Sequence, residues 1–135
     1  MISEPRSSCP INRSLELLGD RWSLLILRDI ALHDRRSFRE LLTGSQEGIS
    51  APVLSRRLAD LVYQGLLTKA ETARGKQGRY SLTERGLATM PLLIEAARLG
   101  TRLDPSTRDH APDIGDDPNA IEAAVSALRT EHIGA

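Results

Sequence analysis

Apolar residues recur at helical spacing through the first third of the chain. A short first helix is predicted after Cys9-Pro10, because apolar residues follow at intervals of three or four: Ile11, Leu15 and Leu18. Between Trp22 and Ile30 almost every position is apolar, which predicts a second helix that is buried on nearly all sides. Asp20 is the expected cap of that helix. This pattern makes the second helix the expected spine of the core, with Trp22 as a core anchor.

Two further helices are predicted on either side of a glycine-containing turn. Ser37 and Glu40 have the spacing of a capping box and open a helix that runs to about Thr43. The turn spans residues 44–48. The next helix spans Ser50–Gln64, with Ser50 as its N-cap, Gly65 after its end, and a predicted buried stripe of Leu54, Leu58, Leu61 and Val62. Two short helices joined in this way, the second of them basic, predict a helix-turn-helix.

The opposite face of the second of these helices is small, hydroxylated and basic. It carries Pro52, Ser55, Arg56 and Ala59, with Arg57 at its border. Small side chains let a helix enter the major groove of DNA, where hydroxyl and guanidinium groups read base edges. An ordinary amphipathic surface helix has the same periodicity, so this stretch alone leaves both interpretations open.

A β-hairpin is predicted directly after the helix-turn-helix. Residues 67–73 read as a strand, residues 74–78 as a tight loop, and residues 79–82 as the returning strand. Three cations near its tip are placed to straddle a phosphate backbone or reach a minor groove: Arg74, Lys76 and Arg79. Edge strands also carry Lys and Arg to block aggregation, which is the alternative explanation.

The helix predicted from Thr83 to about Leu99 has more apolar surface than one small domain needs. Its stripe consists of Leu87, Met90, Leu93, Ile94 and Ala97. Pro91 removes one amide donor and is expected to kink or split the helix. Surplus apolar surface of this kind usually marks a subunit contact, so these five residues are the predicted dimer interface.

The remaining chain divides into a linker and a last helix. Residues 104–118 are rich in Asp and Pro without apolar periodicity, and residues 119–135 form an amphipathic helix that docks on the body, adds to the dimer, or stays mobile. Residues 1–103 are then the main domain. They carry sixteen Lys/Arg against eleven Asp/Glu, a net +5, whereas residues 104–135 carry two against seven, a net −5. A basic body is expected to meet a polyanion.

Composition excludes several classes of protein. No apolar run reaches the length of a membrane span and the N-terminus lacks the hydrophobic centre of a signal peptide, so we expect a cytoplasmic protein. The three histidines are scattered and Cys9 is the single cysteine, so neither a zinc site, an internal disulfide nor a cofactor is expected. No Ser/His/Asp, Cys/His or paired-carboxylate arrangement indicates an enzyme.

Taken in order, the motifs resemble the HxlR family of winged helix-turn-helix transcriptional regulators. The likeness runs from about Cys9 to Gly100 through CPINRSLELLGDRWSLLILRDI, RSFRELL, EGIS, LSRRLADLVYQGLL and YSLTERG. The tail beyond Leu103 is not a general feature of that family. The resemblance implies a mainly α fold with a small β-hairpin, a winged helix-turn-helix with flanking dimerisation helices.

The resemblance also implies a non-catalytic homodimer on a two-fold symmetric DNA operator. By position, the residues that would face the groove are Ser50, Ala51, Pro52, Ser55, Arg56 and Arg57. Those that would face phosphates are Arg36, Ser37, Arg74, Lys76 and Arg79. Cys9 matches a cysteine through which some members sense thiol-reactive compounds, although a cysteine at a helix start also serves a purely structural role. A winged-helix module for protein contacts is the alternative, favoured if Arg56, Arg57 and the wing cations are paired to acids within the fold.

Overall fold

The computed structural model describes residues 4–71, 78–112, 114 and 117–134. Its helices are α1 (Pro10–Leu18), α2 (Ser23–Leu32), α3 (Phe38–Gly44), α4 (Ala51–Tyr63), α5 (Glu84–Leu87), α6 (Met90–Leu103) and α7 (Ala120–Ile133), with a 3-10 helix over Pro105–His110. Strands β1 (Leu67–Ala70) and β2 (Arg79–Leu82) pair antiparallel, from Leu67 opposite Leu82 to Ala70 opposite Arg79. The predicted fold class, mainly α with a small β-hairpin, is confirmed. Within these residues, no helix is long and apolar enough to cross a membrane.

Helix α2 is the centre of the core, as its apolar run predicts. Leu27 and Ile30 have no exposed surface, and Trp22 packs against the same cluster from its edge. Asp20 caps the helix, because its Oδ1 accepts hydrogen bonds from the amides of Trp22 and Ser23 at 2.8 and 2.9 Å. Satisfying these amides fixes where the helix starts.

Helix α4 packs on that core through the predicted stripe, with one exception. Leu54, Leu58 and Leu61 are at most 1% exposed, whereas Val62 is 36% exposed and lies at the edge of the contact. The helix begins after Ser50, whose Oγ accepts from the amide of Val53 at 3.4 Å. Gly65 follows the helix with a φ of 79°, a left-handed conformation that glycine adopts without steric cost.

The predicted long helix from Thr83 is split at Pro91, which stands in the first turn of α6. A proline is tolerated there because the amides of a first turn have no partner within the helix. Thr83 caps α5 by accepting from the amide of Gly86 at 3.0 Å. The segment predicted as a linker contains the 3-10 helix, which packs against α6.

Helix α7 lies against the body of the domain. It contacts β2, α5 and α6, and its Leu128 is buried in the common core. The Nε of Arg129 donates to Glu84 at 2.9 Å. His132 accepts the amide proton of Leu82 on its Nδ1 at 3.0 Å. Of the three possible arrangements of the last helix, the structure has the docked one.

Candidate nucleic-acid interface

Side-chain hydrogen bonds fix both the start of α3 and the turn between α3 and α4. Ser37 Oγ accepts from the amide of Glu40 at 3.1 Å, and Glu40 Oε1 accepts from the amide of Arg36 at 3.2 Å. In a reciprocal capping box the side chain of Glu40 would accept from the amide of Ser37. Here it accepts from the amide of Arg36, one residue earlier. Before α4, Ser45 Oγ accepts from the amide of Ile49 at 3.2 Å. The bond between Ser45 and Ile49 fixes the turn directly before α4.

An ion-pair network attaches the same turn to α2. Arg28 donates to both carboxylate oxygens of Glu47, at 2.8 and 2.9 Å, and to Asp29 at 2.9 Å. Asp29 is 4% exposed and also accepts from Arg35. The hydrogen bonds from Arg28 lower the pKa of Glu47, so this carboxylate stays charged at neutral pH. A two-pronged guanidinium contact fixes orientation as well as distance, so the turn is held against the spine of the core.

The exposed side of α4 presents small and polar groups to solvent. We call the exposed residues Ala51, Pro52, Ser55, Arg56 and Ala59 the α4 face. No bulky side chain stands among them, and within the described residues Arg56 forms no ion pair or hydrogen bond. Tyr63 continues this side toward the C-terminal end of the helix and is 78% exposed. A narrow face with one free guanidinium fits a major groove better than a flat protein surface.

Arg57, predicted to face the groove, is turned toward acids of its own fold. Its guanidinium lies 2.8 Å from Asp60 and 3.7 Å from Asp20. Burial works to raise the pKa of Asp20, but hydrogen bonds from Ser23 and the neighbouring amides, together with Arg57, hold that pKa below its usual value. Arg57 thus joins α4 to the cap of α2. This pairing is the kind expected for a protein-contact module, whereas the unpaired Arg56 is the kind expected for a DNA reader.

Arg36, predicted to face phosphates, is buried instead. It is 6% exposed, its Nε donates to the carbonyl of Tyr80 at 3.0 Å, and its Nη2 donates to Ser81 Oγ at 2.5 Å. Its own carbonyl accepts from the amide of Tyr80 at 2.7 Å. Burial lowers the pKa of this guanidinium. Arg36 therefore covers the open edge of β2 and links the start of α3 to the hairpin, which leaves it no contact with an outside anion.

The described part of the hairpin carries two exposed cations. Arg79, predicted for the wing, is exposed at the start of β2, whereas Arg74 and Lys76 fall outside the described residues. Lys69 on β1 is also exposed, and its ammonium lies 5.8 Å from the centre of the Tyr80 ring. Lys69 is missing from the sequence-based site, and strand alternation could not reveal its exposure, because Lys69 lies on the same side of β1 as the buried Leu67.

Arg21 is a second cation absent from the sequence-based site. It precedes α2 and is exposed, with its guanidinium 5.3 Å from the centre of the Trp22 ring. The ring holds the charge at the surface beside the start of the core helix. The motif Gly-Asp-Arg-Trp was the available signal, although only its Asp20, as a helix cap, and its Trp22, as a core anchor, have predicted roles.

Four of the five residues predicted for the dimer interface are buried in the chain's own core. Leu87, Met90, Leu93 and Ile94 are each at most 8% exposed, and Ala97 is half-buried. The prediction is wrong for those four, because α7 and the 3-10 helix cover the surplus apolar surface that it rested on. Other apolar residues are exposed, among them Leu92, Leu99 and Leu103 on α6 and Ile11 and Leu15 on α1. We call these five the apolar stripe.

Cys9 stands at the N-cap of α1 with its thiol exposed. Its side chain makes no capping hydrogen bond, and its amide donates to Ser7 Oγ at 3.3 Å. The thiol is therefore open to reagents and is not used to hold the helix start. An exposed thiol in this position does not fill an apolar gap, which is one of the two structural roles open to a cysteine here.

Comparison with known proteins gives concordant matches. Residues 17–107 match the model of the HxlR-like helix-turn-helix family. The chain is 33% identical over 94 residues to sll1512 of Synechocystis sp., an uncharacterised helix-turn-helix-type transcriptional regulator, which covers 69% of this chain and 68% of that protein.

Solved structures also have this fold. The chain is similar to PA1607, a candidate transcription factor, with a TM-score of 0.65 and 32% identity over 85% of this chain and 75% of that one. It is similar to the reduced form of the transcriptional regulator YodB from Bacillus subtilis, with a TM-score of 0.55 and 25% identity over 82% of this chain and all of that one. The family match contains the α4 face and both hairpin strands, whereas Cys9 and α7 lie outside it.

Proposed function

We propose that this chain, which belongs to the HxlR-like helix-turn-helix family of transcriptional regulators, binds duplex DNA sequence-specifically as a homodimer. The observation that carries the proposal is the α4 face: a solvent-exposed helix side of small residues around the unpaired Arg56, on a helix whose other side is fixed in the core. In a helix-turn-helix the second helix enters the major groove.

Each group of exposed residues has a separate task in this proposal. Arg56 donates to a purine edge, the commonest specific contact that arginine makes, while Ser55 and Ala51 let the helix approach closely. Ser50 and Ser37 stand at helix N-termini, where backbone amides favour phosphate oxygens. Arg79, with Arg74 and Lys76 of the wing, neutralises phosphates beside the groove. Base contacts then supply specificity and phosphate contacts supply most of the affinity.

The apolar stripe is the proposed dimer interface. Leu99 and Leu103 are 49% and 76% exposed on α6, and Ile11 and Leu15 are 72% and 61% exposed on α1. Exposed leucines and isoleucines on α1 and α6 are costly in water and are covered when two copies associate. A two-fold dimer built this way presents two copies of the α4 face to an operator with matching symmetry.

A response to thiol-reactive compounds through Cys9 is the second part of the proposal. Cys9 is exposed and directly precedes α1, the helix that carries Ile11 and Leu15, so an adduct there would alter the proposed dimer interface. The solved structure of YodB, to which this fold is similar, is described as a reduced form. Because Cys9 is the single cysteine, oxidation leads to a sulfenic acid, a mixed adduct or a disulfide with another molecule.

Salt dependence of DNA binding tests the proposal. With about three or four phosphates neutralised per subunit, a plot of log K against log salt concentration should have a slope of roughly −5 to −7 per dimer. Fluorescence anisotropy on a labelled random duplex measures it. Arg79→Ala should make the slope shallower by about one for each subunit. Affinity that is indifferent to salt contradicts the proposal.

A further inference from the structure

A cleft of about 460 Å³ lies between α6 and four described residues further along the chain, Arg108, Ala111, Pro112 and Ile114. This volume falls within the range of small-molecule sites, about 300–1,000 Å³. Its apolar wall is formed by Ile94 and Ala97 on the α6 side and by Pro112 and Ile114 on the other. The cleft therefore has a surface against which a hydrocarbon or aromatic group can pack.

The charged residues of the described lining are all arginines. Arg98, Arg102 and Arg108 all border the cleft, and no acidic residue of the described chain does. Arg98 is paired with Glu95, its neighbour one helical turn away. Arg102 and Arg108 form no ion pair among the described residues. Two guanidiniums that have no partner among the described residues, next to an apolar wall, suit a ligand that is negative at one end and apolar at the other.

We propose that this cleft binds an organic carboxylate with an apolar body. The carboxylate accepts hydrogen bonds from Arg102 and Arg108, while the body packs on Ile94, Ala97 and Pro112. An inorganic anion or acetate leaves the apolar wall wet, and a neutral ligand of the same shape leaves the guanidiniums without a partner. The site goes beyond DNA recognition and does not rest on it. It lies on the side of α6 away from Leu99, so its occupant touches the helix that carries three of the five residues of the apolar stripe.

Calorimetric titration of the full chain without DNA tests this site. The probes are 2-naphthoate, its neutral analogue 2-naphthamide, and acetate, which lacks the apolar body. We expect 2-naphthoate to bind at one site per chain with a Kd at or below about 1 mM, and both other probes to bind at least tenfold more weakly. Because no DNA is present, failure here leaves the proposed DNA binding untouched, and failure of DNA binding leaves this site untouched.

Two kinds of variant assign the binding to the cleft. Arg102→Gln and Arg108→Gln should each weaken 2-naphthoate binding about fivefold to tenfold, whereas Arg85→Gln, an exposed arginine on α5, should leave it unchanged. Ala97→Leu should weaken binding by filling the wall, with Ala123→Leu on α7 as its matched control. The arginine variants change exposed residues, so they remain informative if Ala97→Leu disturbs the fold.

Three results would overturn the site. The first is absence of a saturable signal for 2-naphthoate up to about 10 mM, a concentration well above the dissociation constant expected for a pocket of this size. The second is equal affinity for the carboxylate and the amide. The third is wild-type affinity in both arginine variants, which would place the ligand elsewhere on the chain.

Discussion

Replacing Arg36 with alanine should destabilise the domain without changing its contacts to DNA. The side chain is 7% exposed and makes two hydrogen bonds, to the carbonyl of Tyr80 and to Ser81 Oγ. Its removal leaves the Tyr80 carbonyl without this donor at the edge of β2. Hydrogen bonds from a charged group contribute about 1.5–3 kcal/mol each, and a buried unsatisfied acceptor costs about 1–3 kcal/mol.

These contributions overlap, because the lost bond and the orphaned carbonyl describe one contact. A reasonable sum is about 3 kcal/mol, which lowers the melting temperature by roughly 10 °C for a domain of this size. Arg79→Ala is the matched control, since Arg79 is an exposed arginine at the start of the same strand. Its free energy of unfolding should change by less than about 0.5 kcal/mol.

Thermal unfolding followed by circular dichroism gives the stability of both variants. DNA anisotropy, measured well below the melting temperature of Arg36→Ala, gives binding by the folded fraction. For Arg36→Ala we expect a large loss of stability with an unchanged Kd for DNA. For Arg79→Ala we expect nearly unchanged stability with weaker DNA binding. A stable Arg36→Ala variant that has lost DNA affinity would refute the structural role and restore Arg36 to the phosphate contacts.

Three further predictions concern the dimer, the C-terminal helix and the cysteine. Leu99→Asp should give folded monomers in sedimentation at micromolar concentration, whereas Ile94→Asp should lower the melting temperature, because Ile94 is buried within the chain. Burial lowers the pKa of His132, and its Nδ1 accepts the amide proton of Leu82, so the neutral form is the one that the fold stabilises. The stabilisation by neutral His132 should be fully present above the pKa of about 6.5 in the unfolded chain and be lost as the pH falls through the lower pKa of the folded chain. A His132→Gln variant whose unfolding has the same pH dependence as wild type would contradict this prediction. Diamide should modify Cys9 and change DNA affinity at least tenfold, about 1.4 kcal/mol. Mass spectrometry detects the modification, and anisotropy of wild type and Cys9→Ser measures the change in affinity; an unmodified Cys9, or unchanged binding after modification, would contradict this prediction.

Most of the features that the sequence predicts correctly depend on residues that lie close together in the chain. The caps at Ser37, Ser50 and Thr83 lie within three residues of the amides they bind, and the stripe of α4 is defined by one turn of helix after another. Such interactions depend on residues close together in the chain, so a pattern along the sequence contains them. The split at Pro91 was predictable for the same reason.

The errors arose where distant segments meet. Arg36 is buried by its contact with Tyr80 of β2, which is 44 residues further along the chain. The residues around Arg36 in the sequence give no indication of that contact. The stripe from Leu87 to Ile94 was correctly read as apolar, but α7 covers it, and α7 was predicted without a docking position. Which residues remain exposed for a second copy depends on the whole fold. Sequence periodicity alone does not determine it.

The proposed function requires the α4 face to read DNA bases through Arg56. A duplex selected by the wild-type protein from a random library should be bound by Arg56→Ala with about 1–3 kcal/mol less free energy, while binding to an unselected duplex changes little. Arg85→Ala, which removes an exposed arginine on α5, serves as the control and should retain both affinities. Parallel anisotropy titrations of the three proteins on the two duplexes measure the difference. Arg56→Ala with undiminished preference for the selected duplex, or no selectable duplex at all, would contradict the claim.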